Sequence, residues 1–150
     1  MKEDWKTHHV GVIVSDMDRA VEYYKSLGIV TVGRDLGVMQ SRTGAKVKAR
    51  WAQMGPLLLE LFQPIEGEDI QLEFLREHGE GIAHIGFTVA DIDAEVDNLL
   101  SNGAKLLFRL DHPTGTRIVY FDTREVGGFI IELVQPADKD FLAEFLKPEE

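Results

Sequence analysis

The chain has 150 residues, a formal net charge of −10 and no cysteine. The missing cysteines exclude a disulfide scaffold, a zinc–thiolate site, an iron–sulfur cluster and a cysteine nucleophile, and they fit a reducing cytoplasm. The acidic balance argues against nucleic acid, whose binding depends on Lys and Arg neutralising phosphates, while an apolar content of 44% is enough for a packed core.

The first six residues contain no apolar stretch of the kind a signal peptide needs. No apolar run approaches the roughly 18 residues of a membrane span. Residues 8–14 are β-branched and apolar and read as a strand. Ser15 or Asp16 can cap the helix that follows, with Ala20, Val21, Tyr24 and Leu27 on one face and Gly28 at its C-terminal turn. Three strands are expected next, at about 29–34, 45–54 and 57–63, the last ending at Pro64. A connection over about 65–81 holds a short helix near Ile70–Glu77. A strand at 83–89 then leads to a helix capped by Asp91, with Ile92, Val96, Leu99 and Leu100 buried and Gly103 at its end. Strands near 105–110, 116–122 and 128–135 follow. A last helix at about 138–146, capped by Asp138, would place Phe141, Leu142 and Phe145 on one side.

This order is a repeat. His9-Val10-Gly11-Val12-Ile13-Val14-Ser15-Asp16 aligns with His84-Ile85-Gly86-Phe87-Thr88-Val89-Ala90-Asp91, and Glu60-Leu61-Phe62-Gln63-Pro64 with Glu132-Leu133-Val134-Gln135-Pro136. Two βαβββ modules are therefore expected, at about 7–64 and 82–136, in a single α+β domain. Neither half can bury its own sheet well, so the halves should pair around a concave mixed sheet.

Each module carries one His on its first strand and one Glu on its last. Side chains alternate along a strand, so His8 and His9 should point to opposite faces, and the alignment with His84 selects His9. Glu60 lies between Leu59 and Leu61, and Glu132 between Ile131 and Leu133. A carboxylate inside an apolar strand is costly to bury unless it is paired or binds a metal. His9, Glu60, His84 and Glu132 together suit one divalent ion such as Zn, Ni, Co, Mn or Fe. The remaining candidates have structural readings. His8 should lie on the far face, His78 near helix-end carbonyls and His112 in a loop. Arg50, Arg109 and Arg117 should form surface ion pairs, Tyr23, Tyr24 and Trp51 should pack, and Gly127-Gly128 should turn into the last strand. No phosphate loop, dinucleotide fingerprint or serine-hydrolase elbow is present.

These motifs resemble the vicinal oxygen chelate superfamily, which includes glyoxalase I, methylmalonyl-CoA epimerase, extradiol dioxygenases and the bleomycin- and fosfomycin-resistance proteins. The resemblance covers about residues 7–136 and implies a metal at the centre of a cupped sheet, held by His9, Glu60, His84 and Glu132. Leu59–Pro64, Phe74–Ile85 and Gly127–Leu133 are most similar to the epimerases. Gly44-Ala45-Lys46-Val47-Lys48 lacks the acid that some epimerases place there, and Phe121-Asp122-Thr123-Arg124 replaces their His-Pro-Lys run.

The resemblance implies proton abstraction next to a carbonyl, with Glu132 as one base and Glu60 as its partner. The substrate would be a small molecule, an acyl-CoA or a thiol adduct, and the assembly a homodimer. A glyoxalase I-like lactoylglutathione lyase, an Fe(II) dioxygenase and a non-catalytic binding or resistance protein are the alternatives.

Overall fold

The structure, a computed structural model, describes residues 2–41 and 43–137. The helix expected at 138–146 lies outside the described residues. The described residues divide into two compact units, one containing Val10–Ala83 and the other Lys2–His9 together with His84–Ala137.

The Val10–Ala83 unit begins with the second half of β1 (Lys6–Ile13), followed by α1 (Met17–Ser26), β2 (Thr31–Val32), β3 (Met39–Gln40), β4 (Lys46–Met54), β5 (Leu57–Glu66) and α2 (Ile70–His78). Its strand order is β2-β4-β5-β1, with β3 also on β4. β1 runs parallel to β5 and β4 antiparallel to it. Helix α1 packs Met17 and Val21 onto Leu59, Leu61, Ala52 and Val32. Burying each such Leu stabilises the fold by about 1.5–3 kcal/mol. Phe62, Ile13 and Phe74 form a second cluster on the other face, where α2 packs. Glu60 faces the same way as Phe62, away from α1, because its neighbours Leu59 and Leu61 take the α1 side.

The other unit holds the start of β1, then β6 (Gly81–Thr88) from His84 on, α3 (Ile92–Ser101), β7 (Lys105–Asp111), β8 (Arg117–Asp122), the one-turn α4 (Arg124–Gly127) and β9 (Ile130–Gln135). Its order is β6-β9-β8-β7, with β6 parallel to β9 and the rest antiparallel. Val89, Ile92, Val96, Val119, Phe121 and Leu133 form its core under α3. The architecture is the expected α+β class, each unit pairing a parallel β–α–β crossover with an antiparallel ladder.

The repeat extends to capping. Asp16 accepts from the Arg19 N–H at 3.0 Å, and Asp91 from the Ala94 N–H at 3.1 Å. Gln63 Oε1 accepts from the Met17 N–H at 2.9 Å, and Gln135 Oε1 from the Ile92 N–H at 2.8 Å. In each repeat one orphan donor of the first turn is met by the N-cap aspartate and another by the glutamine of the last strand.

Several expectations need correction. β5 does not stop at Pro64 but runs to Glu66, because Pro64 sits beside an irregularity in register between Lys46 and Val47. The strand expected at 29–34 shrinks to two residues, while β3 and α4 were not anticipated. Leu27 and Leu100 sit near helix ends and are exposed, since the apolar stripe has rotated off the sheet by the last turn. Arg50 is not a surface residue. It is buried and donates to the Gly33 carbonyl at 2.7 Å.

Candidate metal centre

Three of the four selected side chains belong to one unit and converge. His9 arrives on the start of β1, His84 on β6 and Glu132 on β9, and their exposures are 2%, 1% and 3%. His9 Nε2 lies 2.9 Å from His84 Nε2 and 3.1 Å from Glu132 Oε2. His84 Nε2 lies 3.0 Å from the same Oε2. Burial alone would push the Glu132 carboxyl up, but the neighbouring His9 and His84 outweigh it and hold that carboxyl below the usual carboxylate range.

Strand pairing explains the convergence. In the β6–β9 ladder Gly86 is in register with Glu132. A Cβ at Gly86 would lie 2.5 Å from His9 Cε1 and 2.6 Å from its Nδ1. The missing side chain is therefore the space that the His9 ring occupies, the close approach that a mid-strand glycine marks. Across the other edge of β9, Tyr120 is in register with Glu132. Its ring centroid stands 5.5 Å from that of His84 and 5.8 Å from that of Phe108. The donors thus share a face, opposite the α3 core, with aromatic side chains.

In the Val10–Ala83 unit, Glu60 is half-buried on β5, in register with Gly11 on β1 and with Trp51 on β4. Each repeat therefore sets its strand carboxylate between a glycine and an aromatic residue.

The donor chemistry of the triad fits a divalent ion. Two imidazoles and a carboxylate suit one divalent ion such as Zn, Ni, Co, Mn or Fe.

The other candidates fall where packing or turn chemistry needs them. His78 lies tilted against Phe74, with ring centroids 5.0 Å apart. His112 Nδ1 accepts from the Thr114 N–H and closes its own turn. Arg109 and Arg117 both bind Asp93 on the surface, at 2.8 Å each. His8 does not turn away as strand alternation predicted. Its Nδ1 lies 2.7 Å from His9 Nδ1, because the ring swings back edge-on to its neighbour. Sequence reasoning also missed Gly86 and Tyr120. Gly86 carried a signal, since it aligns with Gly11 inside both His-x-Gly motifs.

The fold and the site define a class. Residues 8–121 match the model of the Glyoxalase/Bleomycin resistance protein/Dioxygenase superfamily, and the chain belongs to that family. Among individual relatives, it is 26% identical over 131 residues to the uncharacterized protein YqjC of Bacillus subtilis, covering 85% of this chain and 90% of that one. It is also 26% identical over 134 residues to the ethylmalonyl-CoA/methylmalonyl-CoA epimerase of Cereibacter sphaeroides, covering 87% and 97%. The crystal structure of methylmalonyl-CoA epimerase from Mycobacterium tuberculosis superposes with a TM-score of 0.68 at 28% identity, covering 91% of this chain and 90% of that one.

Proposed function

We propose that the chain acts as a single glyoxalase-like domain, a metal-dependent enzyme that moves a proton on the carbon beside a carbonyl, as a methylmalonyl-CoA epimerase does. The observation that carries this reading is the convergence of His9, His84 and Glu132, three buried donors within about 3 Å of one another and of the residue types that hold a divalent ion. Similarity to two acyl-CoA epimerases supports the substrate class. Glu60, which the repeat makes equivalent to Glu132, is the proposed fourth ligand.

When bound, a divalent ion supplies Lewis-acid stabilisation of the negative charge that builds on a carbonyl oxygen. The chain's own residues do the rest. His9 and His84 would hold the ion through their ring nitrogens. Glu132 accepts the α-proton and becomes the carboxylic acid, and Glu60, released from the ion in its protonated form, donates a proton to the same carbon and is left as the carboxylate. Tyr120 and Phe108, on the face of the donors, make their surroundings less polar. This arrangement also accounts for the missing acid at Gly44–Lys48, since the two strand carboxylates serve in its place.

The test is a deuterium-exchange assay in D2O with methylmalonyl-CoA and, separately, the glutathione hemithioacetal of methylglyoxal. Metal content is measured alongside. Exchange of the α-proton should require the ion, vanish on chelation and be absent in His84→Ala, which should also bind metal more than about 100-fold more weakly, beyond what outer partners of a ligand command. Stoichiometric metal in that variant would refute the ligand assignment. Turnover of the hemithioacetal alone would identify the lactoylglutathione lyase alternative.

One further reading has its own support. Two histidines and one carboxylate are also the triad of Fe(II) oxygenases, and the family includes dioxygenases. Iron-dependent oxygen consumption without proton exchange would favour it.

A further inference from the structure

Beside Glu132 the donor face carries an apolar surface that the proton chemistry does not use. Residues paired across a ladder share a face, so the strand register lays out two rows. One runs Glu132, Tyr120, Phe108 across β9, β8 and β7, and the next runs Val134, Ile118, Leu110. Val134 is buried, whereas Phe108, Leu110, Ile118 and Tyr120 are only half-buried. The alternate residues Val119, Phe121 and Leu133 are completely buried, because α3 packs on them from the other side.

The two repeats differ here. In the Val10–Ala83 unit the row beyond Glu60 is Phe62 and Ala49, and Phe62 packs against Phe74 of α2. In the other unit α3, the one helix of more than one turn among the described residues, lies on the opposite face. On the far side of the Glu132 row stands Asp122, in register with Ile130, and Arg124 clasps both of its carboxylate oxygens at 2.9 Å. One flank of the donor face is therefore charged and the other apolar. A single half-exposed hydrophobe is ordinary. Four that adjoin one another and abut buried polar donors have the make-up of a ligand site, an apolar wall with a few fixed polar groups.

We propose that Tyr120, Phe108, Ile118 and Leu110 form a subsite for an apolar substituent on the reacting carbon, so that the preferred substrate is a thioester bearing a longer alkyl chain or a ring there rather than a methyl group. The inference rests on the proton-transfer reading and names the substrate class of that site. Phe108 lies two strands from Glu132, about 10 Å along the sheet. A methyl group beside Glu132 leaves most of this surface wet, whereas a butyl chain extends across it. Each methylene removed from water favours the complex about fourfold.

The experiment compares methylmalonyl-CoA with butylmalonyl-CoA on the full chain and on its Ile118→Asn and Leu110→Asn variants. Exchange of the α-proton in D2O gives kcat/KM, and carbon-13 methyl NMR of the Ile and Leu side chains reports binding without turnover. In the wild type kcat/KM should be about 10–60-fold higher for the butyl thioester, which should also shift the Ile118 and Leu110 methyl signals more than the methyl thioester does. Each Asn variant should lower the butyl-to-methyl ratio by about tenfold, a ratio that a general loss of active protein leaves unchanged. Equal kcat/KM for the two thioesters overturns the inference, as does a ratio that neither substitution alters. If neither thioester exchanges its α-proton, the reaction is refuted by itself, and the subsite stands or falls on whether butylmalonyl-CoA moves the two methyl signals.

Discussion

Glu60 and Glu132 occupy one position in two repeats. Each lies on the last strand of its module, each is in register with the glycine two residues beyond the strand histidine, and each has an aromatic residue across the ladder. Their surroundings differ. Glu132 is 3% exposed and touches two imidazoles that hold its carboxyl below the ordinary range, whereas Glu60 is only half-buried, with Trp51 and Gly11 as strand neighbours. The repeat supplies the position of a carboxylate. Its immediate neighbours decide how deeply it is buried and which side chains it meets.

The largest expected effect comes from exchanging the two carboxylates for amides. Glu132→Gln keeps an oxygen that can ligate but cannot accept a proton. Metal content should largely survive, while solvent exchange of the substrate α-proton falls by about 10²–10⁴, the span of a general base. Glu60→Gln should cost less if it serves mainly as a ligand, and as much if it is the second base. Wild-type exchange in both variants would remove proton transfer from the proposal altogether.

Gly86→Ala tests the asymmetry from the backbone side. The new Cβ would sit 2.5 Å from the His9 ring, so the ring must move. Overpacking of this kind costs about 1–3 kcal/mol, to be read from urea denaturation, and metal affinity should fall with it. A variant of unchanged stability and affinity would show that His9 does not rest on this strand.

Where the repeats are alike, their variants should match. Gln63→Ala and Gln135→Ala each remove the acceptor for a first-turn N–H, at 2.9 and 2.8 Å respectively. Each should cost about 1 kcal/mol, the net value of such a bond. Unequal losses in denaturant titrations would mean that the two helices are not anchored equivalently.

The smallest effect lies outside the site. Hydrogen bonds from Arg117 and then Arg109 hold the Asp93 carboxyl below its ordinary value. A carboxyl depressed in the folded state stabilises above its unfolded pKa of about 3.9, and that contribution is lost as the pH falls through the lower folded value. Thermal melts of the wild type and Asp93→Asn should therefore differ slightly at neutral pH and converge in acid. Because the ion pairs are exposed, high salt should also narrow the gap.

Much of this was legible in the chain because a repeat doubles every signal. One glutamate in an apolar strand is ambiguous, but Glu60 and Glu132 at matched positions, with His9 and His84, were enough to choose four residues and a fold. The cap at Asp91 was plain, and the structure decides between Ser15 and Asp16 for the other in favour of Asp16. What escaped depended on strand pairing. Tyr120 stands out only once β8 is set against Glu132, and Arg50 was read as a surface residue because nothing local shows that Gly33 folds over it. His8 was misplaced because alternation fixes where a Cβ points, not where a ring can swing from it.

The three donor atoms have a consequence for how the site is filled. His9 Nε2, His84 Nε2 and Glu132 Oε2 are all within 3.1 Å of one another. Lone pairs that close repel unless a hydrogen lies between them, so the ion-free chain must keep at least one proton inside the triangle. A divalent ion at the proposed centre would displace it, because ligands bind metals only when deprotonated. On that proposal, loading is an ion-for-proton exchange with the surrounding buffer. Its calorimetric heat should change with the buffer's ionisation enthalpy, and an acidic medium should compete with the metal as directly as a chelator does.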